Sequence, residues 1–228
     1  MSETVDNREK AIMGFIAKNP GASVYGIYEG LKKTKKVEIG NRIFVLRRIS
    51  MLTSRGFLHA EKGPRNANPS WLTIKGLIYA VQQGAIEPKD APDIQEKHKI
   101  KIPCTISCQE EKDKRDTCRY VEKFKSKHPE VFFKVLSCLP RILESPEDRM
   151  NEYCCLASIL GACYLYYTDP GFYEECQRTK NFDAGCLGMA DPGPPYYPEK
   201  TIFSIARPMF TILGFEMPKT PPYDVSTE

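Results

Sequence analysis

At 228 residues, with 41% hydrophobic and 27% charged side chains, the chain has the balance of an ordinary globular protein and not of a fibrous or disordered one. No apolar run approaches the length that spans a bilayer, and the opening MSETVDNREK lacks the basic-then-apolar order of a secretory signal, so the expectation is a cytoplasmic protein with no membrane partner. The net charge of +4 is uneven: residues 1–86 hold 14 Lys+Arg against 6 Asp+Glu, and the remainder holds 19 against 23, which assigns any polyanion binding to the first part.

In chain order, residues 7–18 place Ile12, Phe15 and Ile16 on one helical face, and Asn19-Pro20-Gly21 ends that element. Ser23 can cap a second helix, with Ile27 and Leu31 four apart on its inner side. Lys32, Lys33, Lys35 and Lys36 form a basic connector around Thr34. A third helix is expected from about Glu38 to Ser54, with Val45, Ile49 and Leu52 buried, stopped by Gly56 where a positive φ is often needed. The period then changes to that of a hairpin: a strand at 57–62, a turn at 63–69 and a return strand at 70–74, after which Thr73 caps a fourth helix ending at Gly84.

Residues 87–116, with their prolines and dense mixed charge, read as a connector. Helical patterning returns over 117–215. Helices are expected at Arg119–Lys127, after His128-Pro129 (Val131, Phe132, Val135, Leu136 and Leu139 as core), from about Pro146 to Tyr167, near Gly171–Thr179, and from Ile202 to Leu213. Residues 216–228 form a Pro-rich, loose tail. The fold class is therefore mainly α: three helices, a β-hairpin and a fourth helix, then a Cys-rich helical domain.

The run LTSRGFLHAEKGPRNANPSWLTIKG resembles the hairpin region of winged helix-turn-helix regulators of the PadR, MarR and ArsR kind. The pieces that carry the resemblance are Leu52 to Gly56-Phe57-Leu58 and Leu72-Thr73-Ile74-Lys75-Gly76, and it covers roughly residues 7–84. It implies a recognition helix at 38–54, a wing at 57–74, and binding to double-stranded DNA. A groove-binding helix needs one face of donors and an opposite face anchored in a core. Here Asn41, Arg42, Arg47 and Arg48 are the candidate outward groups. Arg47 and Arg48 are adjacent and diverge by about 100°, so they cannot share one base. Ile43, Phe44, Leu46 and Met51 exceed what a groove-facing helix requires, so some must pack against the first two helices or form a dimer surface. Lys62, Arg65, Asn66 and Asn68 suit a wing tip on phosphate or the minor groove, and Lys35 and Lys36 would add phosphate contacts.

All nine cysteines lie from Cys104 onward. An odd count and a reducing compartment argue against a full disulfide set. Cys104, Cys108, Cys118, Cys176 and Cys186 fall in loops and could hold zinc or an iron–sulfur cluster, although their spacing is not that of a zinc ribbon or finger. His98 or His128 could complete a Cys3His site with the first three. Cys138, Cys154, Cys155 and Cys163 sit in apolar helices and read as buried thiols. No phosphate-binding glycine loop, nucleophile elbow or His-Glu-x-x-His motif is present, so no enzyme is expected. The reading is a homodimeric DNA-binding transcriptional regulator, with metal or redox response through the C-terminal cysteines left open. Its rivals are a winged-helix protein-interaction module and a metal- or cluster-containing enzyme.

Overall fold

The computed structural model describes residues 7–34, 37–61, 68–100, 124–146, 149–172, 174, 210–211 and 214. The described residues are mainly helical. Their elements are α1 (Asn7–Lys18), α2 (Val24–Thr34), α3 (Arg42–Ser54), β1 (Leu58–Ala60), β2 (Ser70–Leu72), α4 (Ile74–Gln82), a 3-10 turn (Pro88–Asp90), α5 (Ala91–Lys97), α6 (Pro129–Cys138) and α7 (Met150–Thr168).

Local chemistry sets most of these boundaries. The Ser23 hydroxyl accepts from the amide of Gly26 at 3.1 Å, capping α2. Gly56, at φ +74°, ends the chain's run through α3 in a conformation that costs an L side chain energy. The Thr73 hydroxyl accepts from the Gly76 amide at 3.0 Å to cap α4, and donates to the carbonyl of Gly56 at 2.6 Å. That one side chain therefore ties the start of α4 to the end of α3.

The third helix begins later than its periodicity suggests. Val37 and Ile39 prolong the apolar pattern, but Gly40 adopts φ +76° and Asn41 is extended, its side chain accepting from the Phe44 amide at 2.9 Å. Asn41 is thus the cap of α3 and not a member of its outward face.

β1 and β2 pair antiparallel, with Leu58 opposite Leu72 and Ala60 opposite Ser70. The other edge of β2 is covered. Ser70 exchanges backbone bonds with the loop between α1 and α2, accepting from Gly21 at 3.0 Å and donating to Ala22 at 3.1 Å. Further along, the Leu72 amide donates to Nδ1 of His98 at 2.9 Å. Together these partners satisfy edge groups that would otherwise be left to water.

Residues 87–100, read from sequence as the start of a connector, instead form the 3-10 turn and α5, with Ile86, Ala91 and Ile94 buried against the N-terminal helices and α6. Helix α4 is apolar apart from Lys75 and Gln82: Ile74, Leu77, Ile78, Tyr79, Ala80 and Val81 are buried. It packs on α1 on one side and on α6 on the other, and Gln82 donates to the Ser137 carbonyl at 2.6 Å. One continuous core therefore runs from Ile12 and Ile16 through Leu77 to Phe132, Leu136 and Leu160. In α6, Val131 is half-buried while Phe133, absent from the sequence-derived core, is buried. The described residues contain no helix long and apolar enough to cross a membrane.

Candidate nucleic-acid interface

Helix α3 presents an outward arc. Val45, Ile49 and Leu52 are buried, as their spacing predicts, and Phe44 and Met51 are half-buried. Arg42, Ile43, Leu46, Arg47 and Ser50 are exposed. Two of these are large apolar residues, Ile43 at 58% and Leu46 at 43% of full exposure, with Tyr25 of α2 nearby in the same class at 58%. Of the four apolar residues expected in part to pack inward or to form a dimer surface, Phe44 and Met51 turn toward the core while Ile43 and Leu46 do not. The register of the helical wheel, once fixed by Val45, Ile49 and Leu52, is the signal that places them outside.

The arginines divide into two kinds. Arg42 stands 5.8 Å from the Tyr25 ring centroid, and neither Arg42 nor Arg47 has a carboxylate within ion-pairing distance among the described residues. Arg48 turns the other way. Its guanidinium lies 3.4 Å from Oε2 of buried Glu9 and 5.3 Å from the Phe44 ring centroid. Arg48, expected among the outward groups, therefore braces α3 against α1. The physical reason is the step of about 100° between neighbours, which carries Arg48 past the exposed arc to the flank beside Phe44.

Glu9 is the hub of that brace. Its Oε1 accepts from the Tyr79 hydroxyl at 2.6 Å, and burial together with this carboxylate pushes the Tyr79 phenol up to about 12. Tyr79 in turn stacks on Phe57 at 4.4 Å, and Arg55 lies over both rings.

Of the remaining candidates, Lys32 and Lys33 are exposed at the end of α2, with Lys32 Nζ 5.7 Å from the Tyr28 ring. Asn68 is half-buried at the base of the hairpin, its carbonyl accepting from the Ser70 hydroxyl at 3.4 Å. Lys35, Lys36, Lys62, Arg65 and Asn66 lie outside the described residues, as do Cys104, Cys108, Cys118, Cys176 and Cys186.

His98 is not available as a metal ligand in this arrangement. Nδ1 accepts from the Leu72 amide at 2.9 Å, which makes Nε2 the protonated nitrogen, and Nε2 donates to the Ala17 carbonyl at 3.1 Å. Burial lowers the His98 pKa from its ordinary value of 6.5. His98 therefore stays neutral in the fold while the unfolded chain takes up a proton near pH 6.5, so its stabilising contribution is complete above that pH and is lost progressively as pH falls below it. Urea unfolding at pH 7.5 and 5.5 (roughly a unit either side of the free value) should show a fall in midpoint that His98→Asn diminishes. An unchanged slope in the variant would assign the acid sensitivity elsewhere.

His128 packs between Phe124 at 5.3 Å and Phe172 at 5.4 Å. Among the described residues no group of three or more His, Cys, Asp or Glu side chains could hold a metal ion. Cys154 and Cys163 are buried as expected, and burial drives the Cys163 thiol up to about 12. Cys155 is half-buried and Cys138, expected in the core, is exposed at the end of α6. Site-resolved alkylation of the native protein should accordingly modify Cys138 well before Cys154 and Cys163, since attack needs both access and thiolate. Equal rates at all three would contradict the packing of α7.

Comparison of the chain with protein-family models, with curated proteins and with solved structures finds no match.

Proposed function

We propose that residues 1–86 form a winged helix-turn-helix domain that binds double-stranded DNA, with α3 in the major groove and the β1–β2 hairpin on the flanking backbone, and that the protein acts as a transcriptional regulator. The observation that carries this reading is the exposed arc of α3, with no carboxylate within ion-pairing distance of Arg42 or Arg47 among the described residues and the opposite face locked into the core. The order of elements supports it: a helix, a one-residue bridge at Ala22, two helices, a hairpin and a helix. So does the placing of the C-terminal helices, since α6 packs on α4 while α3 packs on α2 and β1. Lys32 and Lys33 would add phosphate contacts, which strengthen binding without choosing sequence.

The test is a salt titration of binding to short random duplexes by the full chain. Affinity should fall linearly on a double-logarithmic plot against salt. Arg42→Glu combined with Arg47→Glu should weaken binding at least about tenfold and flatten the slope by about two, one for each lost contact. Binding that ignores salt, or that survives the double reversal, overturns the reading. The exposed pair Ile43 and Leu46 favours one rival, a protein-interaction module, which predicts duplex affinity indistinguishable from background.

A further inference from the structure

The exposed arc of α3 has an order across it as well as a charge. At about 100° per residue, Arg42, Leu46, Ser50, Ile43 and Arg47 stand in that order around roughly 140° of the helix surface, with the small side chains of Thr53 and Ser54 from the last turn falling between them. Cations therefore stand at the two margins, and the centre is Leu46, small Ser50 and Ile43. Both apolar side chains are well exposed, at 43% and 58%, and the Tyr25 ring lies 5.8 Å from the Arg42 guanidinium.

A polar groove floor would not call for that centre. The major groove is bounded on both sides by phosphates, and its floor displays hydrogen-bonding edges together with one apolar group, the 5-methyl of thymine. A cross-section running phosphate, methyl, phosphate complements one running cation, apolar pair, cation. Resting on the DNA-binding reading above, we infer that Ile43 and Leu46 read thymine methyl groups, so that the preferred duplex carries thymine at the steps beneath the first two turns of α3. Arg42 and Arg47 hold the helix between the strands, and Ser50, short and central, lets the helix approach the floor.

The experiment begins with enrichment of duplexes from a random library by the full chain. Thymine should be enriched at one or two adjacent positions. In the enriched duplex each thymine is then replaced by deoxyuridine, which removes the methyl and keeps the base pair. Each methyl lying under α3 should be worth on the order of fourfold in affinity, the worth of one buried carbon. Ile43→Ala and Leu46→Ala, both at exposed helical positions where alanine does not disturb the core, should bind the thymine and deoxyuridine duplexes equally. Equal affinity of the native chain for both duplexes overturns methyl reading and leaves DNA binding standing. A methyl effect that persists in the doubly substituted variant assigns the reading to other residues. Failure to retain any duplex above background overturns both readings, and a mass that rises with concentration would then give the apolar centre to a second copy of the chain.

Discussion

Replacing Glu9 by Ala should lower folding stability by about 3 kcal/mol, or roughly 6–12 °C in midpoint for a chain of this size. The Glu9 side chain is only 7% exposed, and its two oxygens hold Tyr79 at 2.6 Å and Arg48 at 3.4 Å. The short bond to Tyr79 fixes the carboxylate, and the longer one to Arg48 exploits it. Arg8 and Arg48 stand 5.2 and 5.3 Å from the same Phe44 ring centroid, so two guanidinium groups share one aromatic residue. Truncating Glu9 strands the phenol without this acceptor and removes a carboxylate paired with Arg48, whose side chain is 30% exposed. Breaking one side of a buried pair costs more than removing both. Glu9→Leu with Arg48→Met should therefore recover part of the loss, and the double-mutant cycle reads the coupling directly. Additive losses would show that the contact contributes nothing beyond packing. The Glu9–Arg48 contact ties α3 to α1, so if α3 binds duplex as proposed, the single variant should weaken that binding as well.

The N-terminal elements were legible because periodicity and punctuation agree there. Ile12 and Ile16, Ile27 and Leu31, and Val45, Ile49 and Leu52 mark buried stripes that the structure confirms, and Ser23, Gly56 and Thr73 sit at the boundaries they announce. The start of α3 is displaced because buried Ile39 continues the apolar pattern through a segment that is not helical. Only the glycine at position 40 and the Asn41 cap betray the break. In the stretch read as a connector, Pro88 and Pro92 looked like helix breakers, yet both occupy first-turn positions, where the missing N–H costs nothing. The fate of Arg48 could not be read locally. It depends on a carboxylate 39 residues earlier in the chain, and no spacing rule links the two. The sharing of α4 by both halves did leave a signal: the run LIYAV is too long to be one face of a helix, and its continuous apolar surface means burial on more than one side.

Gly76→Ala should cost about 3 kcal/mol or more, and it tests why the Leu-Thr-x-x-Gly sequence has that form. A Cβ at position 76 would lie within 1.9 Å of the Phe57 carbonyl oxygen and 2.9 Å of its carbon. Both are backbone atoms, and neither can rotate away. The same carbonyl accepts from the Thr73 amide at 3.1 Å while the Thr73 hydroxyl donates to the neighbouring Gly56 carbonyl at 2.6 Å, so the first turn of α4 is pressed against the step between α3 and β1 by bonds that need the close approach. Relieving the clash means lifting α4 off that step and losing the bonds together. Gly30 supplies the contrast. Its added Cβ would come within 2.2 Å of Phe15, but the clash is with the tip of a half-buried ring that can swing outward, so Gly30→Ala should cost distinctly less. Gly26, in α2 with nothing nearer than the Ser23 hydroxyl at 3.5 Å, should gain up to about 1 kcal/mol on becoming alanine. Chemical denaturation of the three variants orders them as Gly76 far below Gly30 and Gly26 above the native chain. Because α4 is the helix on which α6 packs, the Gly76 variant should lose the cooperative unfolding of the whole chain and not only that of the hairpin. Native-like stability of Gly76→Ala would mean that α4 and Phe57 do not touch as described, and the anchoring of the hairpin beside α3 would have to be found elsewhere.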